Sequence, residues 1–279
     1  MWVGQQLADG LDFWGFLGSL ILGGIILGIY TGLLGYVGAK TGLSLDLLSQ
    51  RAFGEKGSYL PSAMTSFTQI GWFSVGSFVS GGTATPNFAR FAKNGKSGAI
   101  TTVVAFFIGN SLMFFFGAVS SIFVGGNDIF EVMVRLNLFY LAVLVLGLNI
   151  WTTNDNALYT AGLGLANIFH QRKKPMVLLS GIIGTVASVW LYYNFCGWLN
   201  ILNCTLPPVG TILVLAYFMN KEDFETDQPK LKTIDWFAVA GVILGAIVAN
   251  ILHWGIASIN GMVVAAVCYC VGQAVNKRK

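Results

Sequence analysis

Eight stretches of this chain reach or approach the length and apolarity of a bilayer-spanning helix: Phe13–Gly38, Tyr59–Asn87, Ala99–Val124, Leu138–Asn167, Pro175–Tyr193, Cys196–Asn220, Ile234–His253 and Ile256–Val271. Such a helix needs about 20 mostly apolar residues. Runs this long and this many do not fit a soluble core. In hydrocarbon each backbone polar group must be satisfied within the segment, so the runs are read as helices. The expected fold is all-α, a polytopic transmembrane bundle of about 8 segments forming one domain over 1–279. Charged residues make up 10% of the chain, against about a quarter in an ordinary soluble domain.

The basic residues are clustered: Arg90, Lys93 and Lys96; Arg172, Lys173 and Lys174; Lys221, Lys230 and Lys232; and Lys277, Arg278 and Lys279. A nucleic-acid partner would need one continuous basic surface, and none is expected. Clusters beside helix ends follow the positive-inside rule, which places them and the C-terminus in the cytoplasm. The acidic turn GGNDIFE then falls on the other side. The connector Lys40–Lys56 disturbs this alternation. It is basic too, yet only one apolar segment of about 30 residues, too short for two crossings, separates it from Arg90. Either a basic connector lies outside, or Tyr59–Asn87 enters and returns as a re-entrant hairpin, its helix broken within GSFVSGGTATPNF.

Other features read as scaffold. Gly24, Gly28 and Gly32 form a close-packing stripe on the first span. Cys196, Cys204, Cys268 and Cys270 have neither CxxC spacing nor histidine partners, which argues against zinc or disulfides and for apolar filling. The opening MWVGQQLADG has no basic region of a signal peptide. His170 and His253 lack a visible acid or nucleophile partner, so no enzyme is expected.

The block LNIWTTNDNALYT, from Leu148 to Thr160, is polar within an apolar run. On a helix, Asn149, Thr152, Thr153 and Asn156 share one face at i, i+3, i+4 and i+7. Their neutral oxygens suit a hard monovalent cation, by the logic that gives hard divalent ions oxygen ligands. Asn154 points elsewhere and can reach a second ligand. Asp155, the one acid within a membrane segment, is costly there and by default functional. The competing reading is hydrogen-bonding glue between helices. A second constellation is TQIGWFSVGSFVSGGTATPNFARF. Gln69 donates and accepts, Trp72 and Phe78 offer flat faces, and Ser80 with Gly81 brings backbone close. A planar polar heterocycle would stack and pair with such a set. The competing reading is an aromatic span packed in lipid.

IYTGLLGYVGAKTGLS, TQIGWF, FARFAKN, FFIGNSLMFFFGA, VLGLNIWTTNDNALYTAGLGLANI, GIIGTVASVWLYYNFCGWL and LPPVGTILVLAYFMN occur in an order that resembles the nucleobase:cation symporter family, in its bacterial cytosine permease branch. The resemblance covers nearly the whole chain. It implies two inverted five-helix repeats plus two further helices, with substrate and sodium where the first and sixth helices unwind. It further implies alternating access coupled to sodium or a proton, in the bacterial inner membrane. Trp72 and Phe78 would sandwich a nucleobase, cytosine first among candidates. Gln69, Ser80, Gly81 and Asn154 would bond its edge, and Asn149, Thr152 and Thr153 would hold sodium, with no other cofactor.

Departures from the family are expected as well. Residues 1–12 match only a remnant of the first broken helix. Residues 76–77 join the third family helix to the sixth, so the segments between are missing and the repeat is incomplete. Asn87 replaces the family's usual acid. On one continuous helix Trp72 and Phe78 would be separated by about 9 Å and 240°, unable to clamp one ring unless the segment breaks near Gly76. Weak uptake follows, and the alternative is a non-transporting membrane remnant or helix-bundle partner of a full-length permease.

Overall fold

The computed structural model describes residues 12–75, 81–125, 129–226, 228–229, 231–252 and 254–276. No strand occurs among them. The first helix, α1 (Phe13–Thr41), starts on Asp12, whose carboxylate accepts the Gly15 N–H, and stops at Gly42 in the left-handed region with φ 68°. A short connector helix α2 (Leu45–Phe53) leads to α3 (Tyr59–Val75), followed by the one-turn helices α4 (Gly81–Ala84) and α5 (Pro86–Ala89). Next comes one long rod made of α6 (Gly95–Val104), a π-helical turn (Ala105–Gly109) and α7 (Asn110–Val124). After α8 (Ile129–Arg135) come α9 (Phe139–Phe169), α10 (Lys173–Tyr193) and α11 (Phe195–Met219). The chain ends with α12 (Lys221–Glu225), α13 (Trp236–Ile251) and α14 (Ala257–Asn276).

Among the described residues five helical stretches are long and apolar enough to cross a membrane: Phe13–Thr41, Gly95–Val124, Lys173–Leu191, Gly197–Met219 and Ala257–Asn276. The expected segments at Tyr59–Asn87 and Ile234–His253 are shorter as helices, at 17 residues in α3 and 16 in α13. The chain is a multi-pass, all-α integral membrane protein.

Hydrogen bonds gather the basic connectors at one end of the bundle. Leu45 N donates to Asn87 Oδ1 at 2.8 Å, tying α2 to the turn before Arg90. Glu55 N and Lys56 N donate to the carbonyls of Lys232 and Thr233. Tyr59 OH meets His170 Nε2 at 2.7 Å, which brings in the turn between α9 and α10. Tyr59 thus lies at this end. So does Asn87, reached after Thr83 bonds Tyr30 OH and Pro86 packs on Gly38, in step with α1 running toward Lys40. The chain therefore leaves the basic end along α3 and returns to it over residues 81–89. Of the two alternatives left by the charge pattern, this is the re-entrant one.

The glycine stripe packs on the next rod: a Cβ on Gly32 would lie 2.6 Å from Val103 Cγ2 and one on Gly24 3.0 Å from the Phe107 ring, and the close approach continues beyond the stripe. A Cβ on Gly35 would lie 2.5 Å from Thr102 Oγ1 and 3.0 Å from the Gly98 carbonyl, so α1 and α6 touch backbone to backbone. At Gly38 an added Cβ would sit 2.7 Å from Pro86 Cα, which cannot rotate away. Gly38→Ala is expected to cost about 1–3 kcal/mol by overpacking, read as a lower apparent Tm in detergent. Gly23→Ala, with nothing within 4 Å, should lose none. The main buried cluster joins α1, α2, α11, α13 and α14 through Leu34, Phe53, Ile212, Tyr217, Val242 and Tyr269.

Candidate functional site

The polar block lies inside α9, where the sequence places it. Asn149, Thr152, Thr153 and Asn156 all face one cavity of about 460 Å³. Gln69 of α3 lines the facing wall and is 6% exposed. Both constellations read from the sequence therefore contribute to one site. Thr152 Oγ1 lies 3.2 Å from the Leu148 carbonyl and 3.1 Å from that of Asn149, donating its proton back to its own helix. Its lone pairs remain available to accept, which is what a cation ligand requires.

Of the remaining wall, Phe88 and Ala89 fall within the second constellation but are not singled out there, and the rest has no counterpart in the sequence reading. Phe88 and Ala89 of α5, Thr101 and Thr102 of α6, and Ala105 and Phe106 of the π turn complete it. A π insertion re-aims side chains and recurs at functional sites. The threonine pair within an apolar span was the available signal, but no periodicity marks a π turn. None of the described residues lining the cavity is charged. Nor is there, among the described residues, a group of three His, Cys, Asp or Glu side chains able to hold a metal ion.

Other expected site residues fall elsewhere. Asn154 is off the cavity wall, with Oδ1 buried and without a hydrogen-bond partner. Asp155 is exposed on α9. Gly81 opens α4. Phe78 and Ser80 lie outside the described residues, as do the side chain of Trp72, the join at 76–77 and all of the 1–12 remnant except Asp12.

At the basic end a second polar network surrounds α2. Ser62 Oγ donates to Asp46 Oδ1 at 2.6 Å, and Asn167 Nδ2 donates to Ser62 Oγ at 2.9 Å. Gln50 Nε2 in turn donates to Asn167 Oδ1 at 2.6 Å. Burial outweighs these bonds and the nearby Arg90 charge, and pushes the Asp46 carboxyl up to about 6. The network pins the connector helix to α3 and α9, the elements that carry Gln69 and the polar face.

Apolar helices around an uncharged cavity with polar groups converging from two of them define a polytopic membrane transporter. The chain belongs to the family of permeases for cytosine/purines, uracil, thiamine and allantoin, whose sequence model matches residues 1–84 and 74–275. Among similar proteins are the cytosine permeases of Escherichia coli strain K12, O6:H1 and O157:H7. Each is 35% identical over 372 aligned residues, covering all of this chain and 88% of the relative. The alignment exceeds the chain's 279 residues, so the difference consists of relative residues without a counterpart here.

Proposed function

We propose that this chain is a nucleobase permease of the cytosine type that keeps a substrate and cation site but translocates weakly on its own. The carrying observation is that Gln69 and the four-residue polar face of α9 meet across one cavity. Its volume lies within the range of about 300–1,000 Å³ common to small-ligand pockets. A flat, uncharged heterocycle with donors and acceptors on its rim matches an uncharged wall bearing amides and hydroxyls. The family resemblance assigns stacking to Trp72 and Phe78 and further edge contacts to Ser80, the Gly81 backbone and Asn154, the last of which would have to reach in from off the cavity wall.

Sodium is favoured over a proton as the coupling ion. Proton coupling needs a titratable group at the site, and the described lining offers none. It offers instead the oxygens of Asn149, Thr152 and Thr153. Weak translocation follows from the join at 76–77. The family match comes in two stretches that overlap over 74–84, and the relatives carry residues this chain lacks. A transporter that alternates access needs both halves of its repeat. By the positive-inside rule the basic end and the C-terminus face the cytoplasm, across a bacterial inner membrane.

Purified chain in liposomes should bind radiolabelled cytosine more tightly in sodium than in choline, while accumulation stays near background. Absence of sodium-dependent binding overturns the site. Sodium-driven accumulation overturns the weak-translocation part. A second reading, a helix-bundle partner of a full-length permease, is favoured by the exposure of Asp155 off the cavity wall, because a charged side chain in a membrane segment normally faces protein or water. Co-purification with such a permease would test it.

A further inference from the structure

We propose that Arg90 and Lys173, brought together on Tyr159 at the basic end of the bundle, bind the phosphate of an anionic lipid headgroup. Arg90 Nη2 donates to Tyr159 OH at 2.5 Å, and Lys173 Nζ stands 3.6 Å from the centroid of the same ring. Three separate elements, the turn after α5, α9 and the start of α10, thus deliver two cations to one neutral side chain. Like charges held this close repel each other unless an anion lies between them.

No internal anion does so. Among the described residues no carboxylate comes within 4 Å of either group: the ion pairs formed are Lys40–Glu225, Arg135–Glu131 and Lys232–Asp235. Asp46 lies near enough to feel the Arg90 charge, but it is buried and accepts from Ser62 rather than from the guanidinium. Among the described residues, only one donor bond of the Arg90 guanidinium is given to protein, that of Nη2 to Tyr159 OH, while its Nε is buried. Guanidinium groups are suited to phosphate because their donors form a planar fork.

Lys173 opens α10, and the polarity there is the reverse of what a helix start favours. Arg172 makes no side-chain cap, and the first turn contains no acid. The positive end of the helix dipole therefore lies beside Arg172, Lys173 and Lys174, an arrangement that an external anion would relieve. Orientation by the positive-inside rule accounts for how many cations lie at this end. It does not account for two of them meeting on one tyrosine. A lipid fits better than free phosphate because Phe91, 74% exposed, lies directly beneath the Arg90 guanidinium at 4.7 Å. An apolar ring against a cation at a helix end is the setting of the headgroup region, and basic pockets between helix ends there bind anionic lipids.

Delipidated protein in detergent, titrated with short-chain phosphatidylglycerol, phosphatidylcholine or inorganic phosphate, tests this by thermal shift. Phosphatidylglycerol should stabilise at about a tenfold lower concentration than phosphatidylcholine, with inorganic phosphate inactive. Arg90→Gln and Lys173→Gln should each erase that preference, while Lys174→Gln, one residue along and off the ring, should keep it. Should a glutamine variant fail to fold, Arg90→Lys and Tyr159→Phe take its place, each weakening the preference because the fork or its anchor is lost. Equal loss in Lys174→Gln would mean diffuse surface charge and overturn the site. Equal stabilisation by inorganic phosphate would overturn the lipid, and no preference between the two lipids would overturn both.

Discussion

Gln69→Leu is expected to weaken cytosine binding by about 5- to 150-fold, with the protein still folded and monodisperse. The figure corresponds to about 1–3 kcal/mol, the cost of leaving a buried donor or acceptor unpaired. Gln69 is nearly inaccessible to solvent except through the cavity, so no bulk water replaces its amide once leucine stands there. Leucine has nearly the same volume, so the wall keeps its shape and the loss is chemical. An amide both donates and accepts, which is what the rim of a cytosine ring presents, and leucine can do neither. Phe67→Leu supplies the control, because that ring is 48% exposed on the same helix and does not line the cavity. Equal affinities in wild type and Gln69→Leu, by equilibrium binding in sodium, would remove Gln69 from the site.

The α9 half of this site was legible because its signal is local. A helix repeats every 3.6 residues, so Asn149, Thr152, Thr153 and Asn156 share a face in any fold that keeps the helix, and the cavity lies on that face. Gln69 was legible for a different reason: an amide in an aromatic, apolar span has few uses. The wall from α5 and α6 was not legible. Alanine and glycine carry no chemistry, and Ala84, Ala89, Ala92 and Gly98 line the cavity only because α1 packs so closely that residues 81–98 are held beside α9. That is a tertiary fact with no local trace. The path of the chain lay between these extents. Counting charges exposed the contradiction at Lys40–Lys56 but left two resolutions. The choice was made by contacts remote in sequence, Leu45 with Asn87 and Tyr59 with His170.

Exposure along α9 links the two readings of function. Its first half, from Phe139 to Thr152, is exposed over most of its surface, and Tyr140, Leu144 and Trp151 are among its most open side chains. For Leu144 and Trp151 a lipid surround is sufficient. Asn149 and Thr152, exposed as well, open instead onto the cavity, and Thr152 keeps its hydroxyl proton on its own helix. A bundle that kept the family segments proposed to be missing would have protein to place against this surface. The face proposed to hold a cation and the exposed surface thus share one stretch of helix, and binding retained with translocation lost is what the proposed function expects of it.

Asp46→Asn should make the protein more stable above pH 7 and no more stable at pH 4. The folded protein holds the Asp46 carboxyl at about 6 against an ordinary 3.8, because burial disfavours the charge more than Ser62 and Arg90 favour it. The native state then binds more protons than the unfolded chain between these values, so its stability falls as pH rises through the window and levels off above it. The displacement corresponds to about 3 kcal/mol, an upper figure for a buried group. Asparagine keeps an oxygen for the Ser62 hydroxyl and carries no charge at any pH, although its amide protons need acceptors and offset part of the gain. A net gain of about 1–3 kcal/mol at pH 7.5 is expected, and none at pH 4, where the carboxyl of the wild type is already largely neutral in the folded state. Unfolding in denaturing detergent, followed from pH 4 to pH 8, would give a sloping curve for the wild type and a flatter one for the variant. Parallel curves would mean that Asp46 titrates alike in the folded and the unfolded protein, and that its burial beside Ser62 puts no cost on the charge.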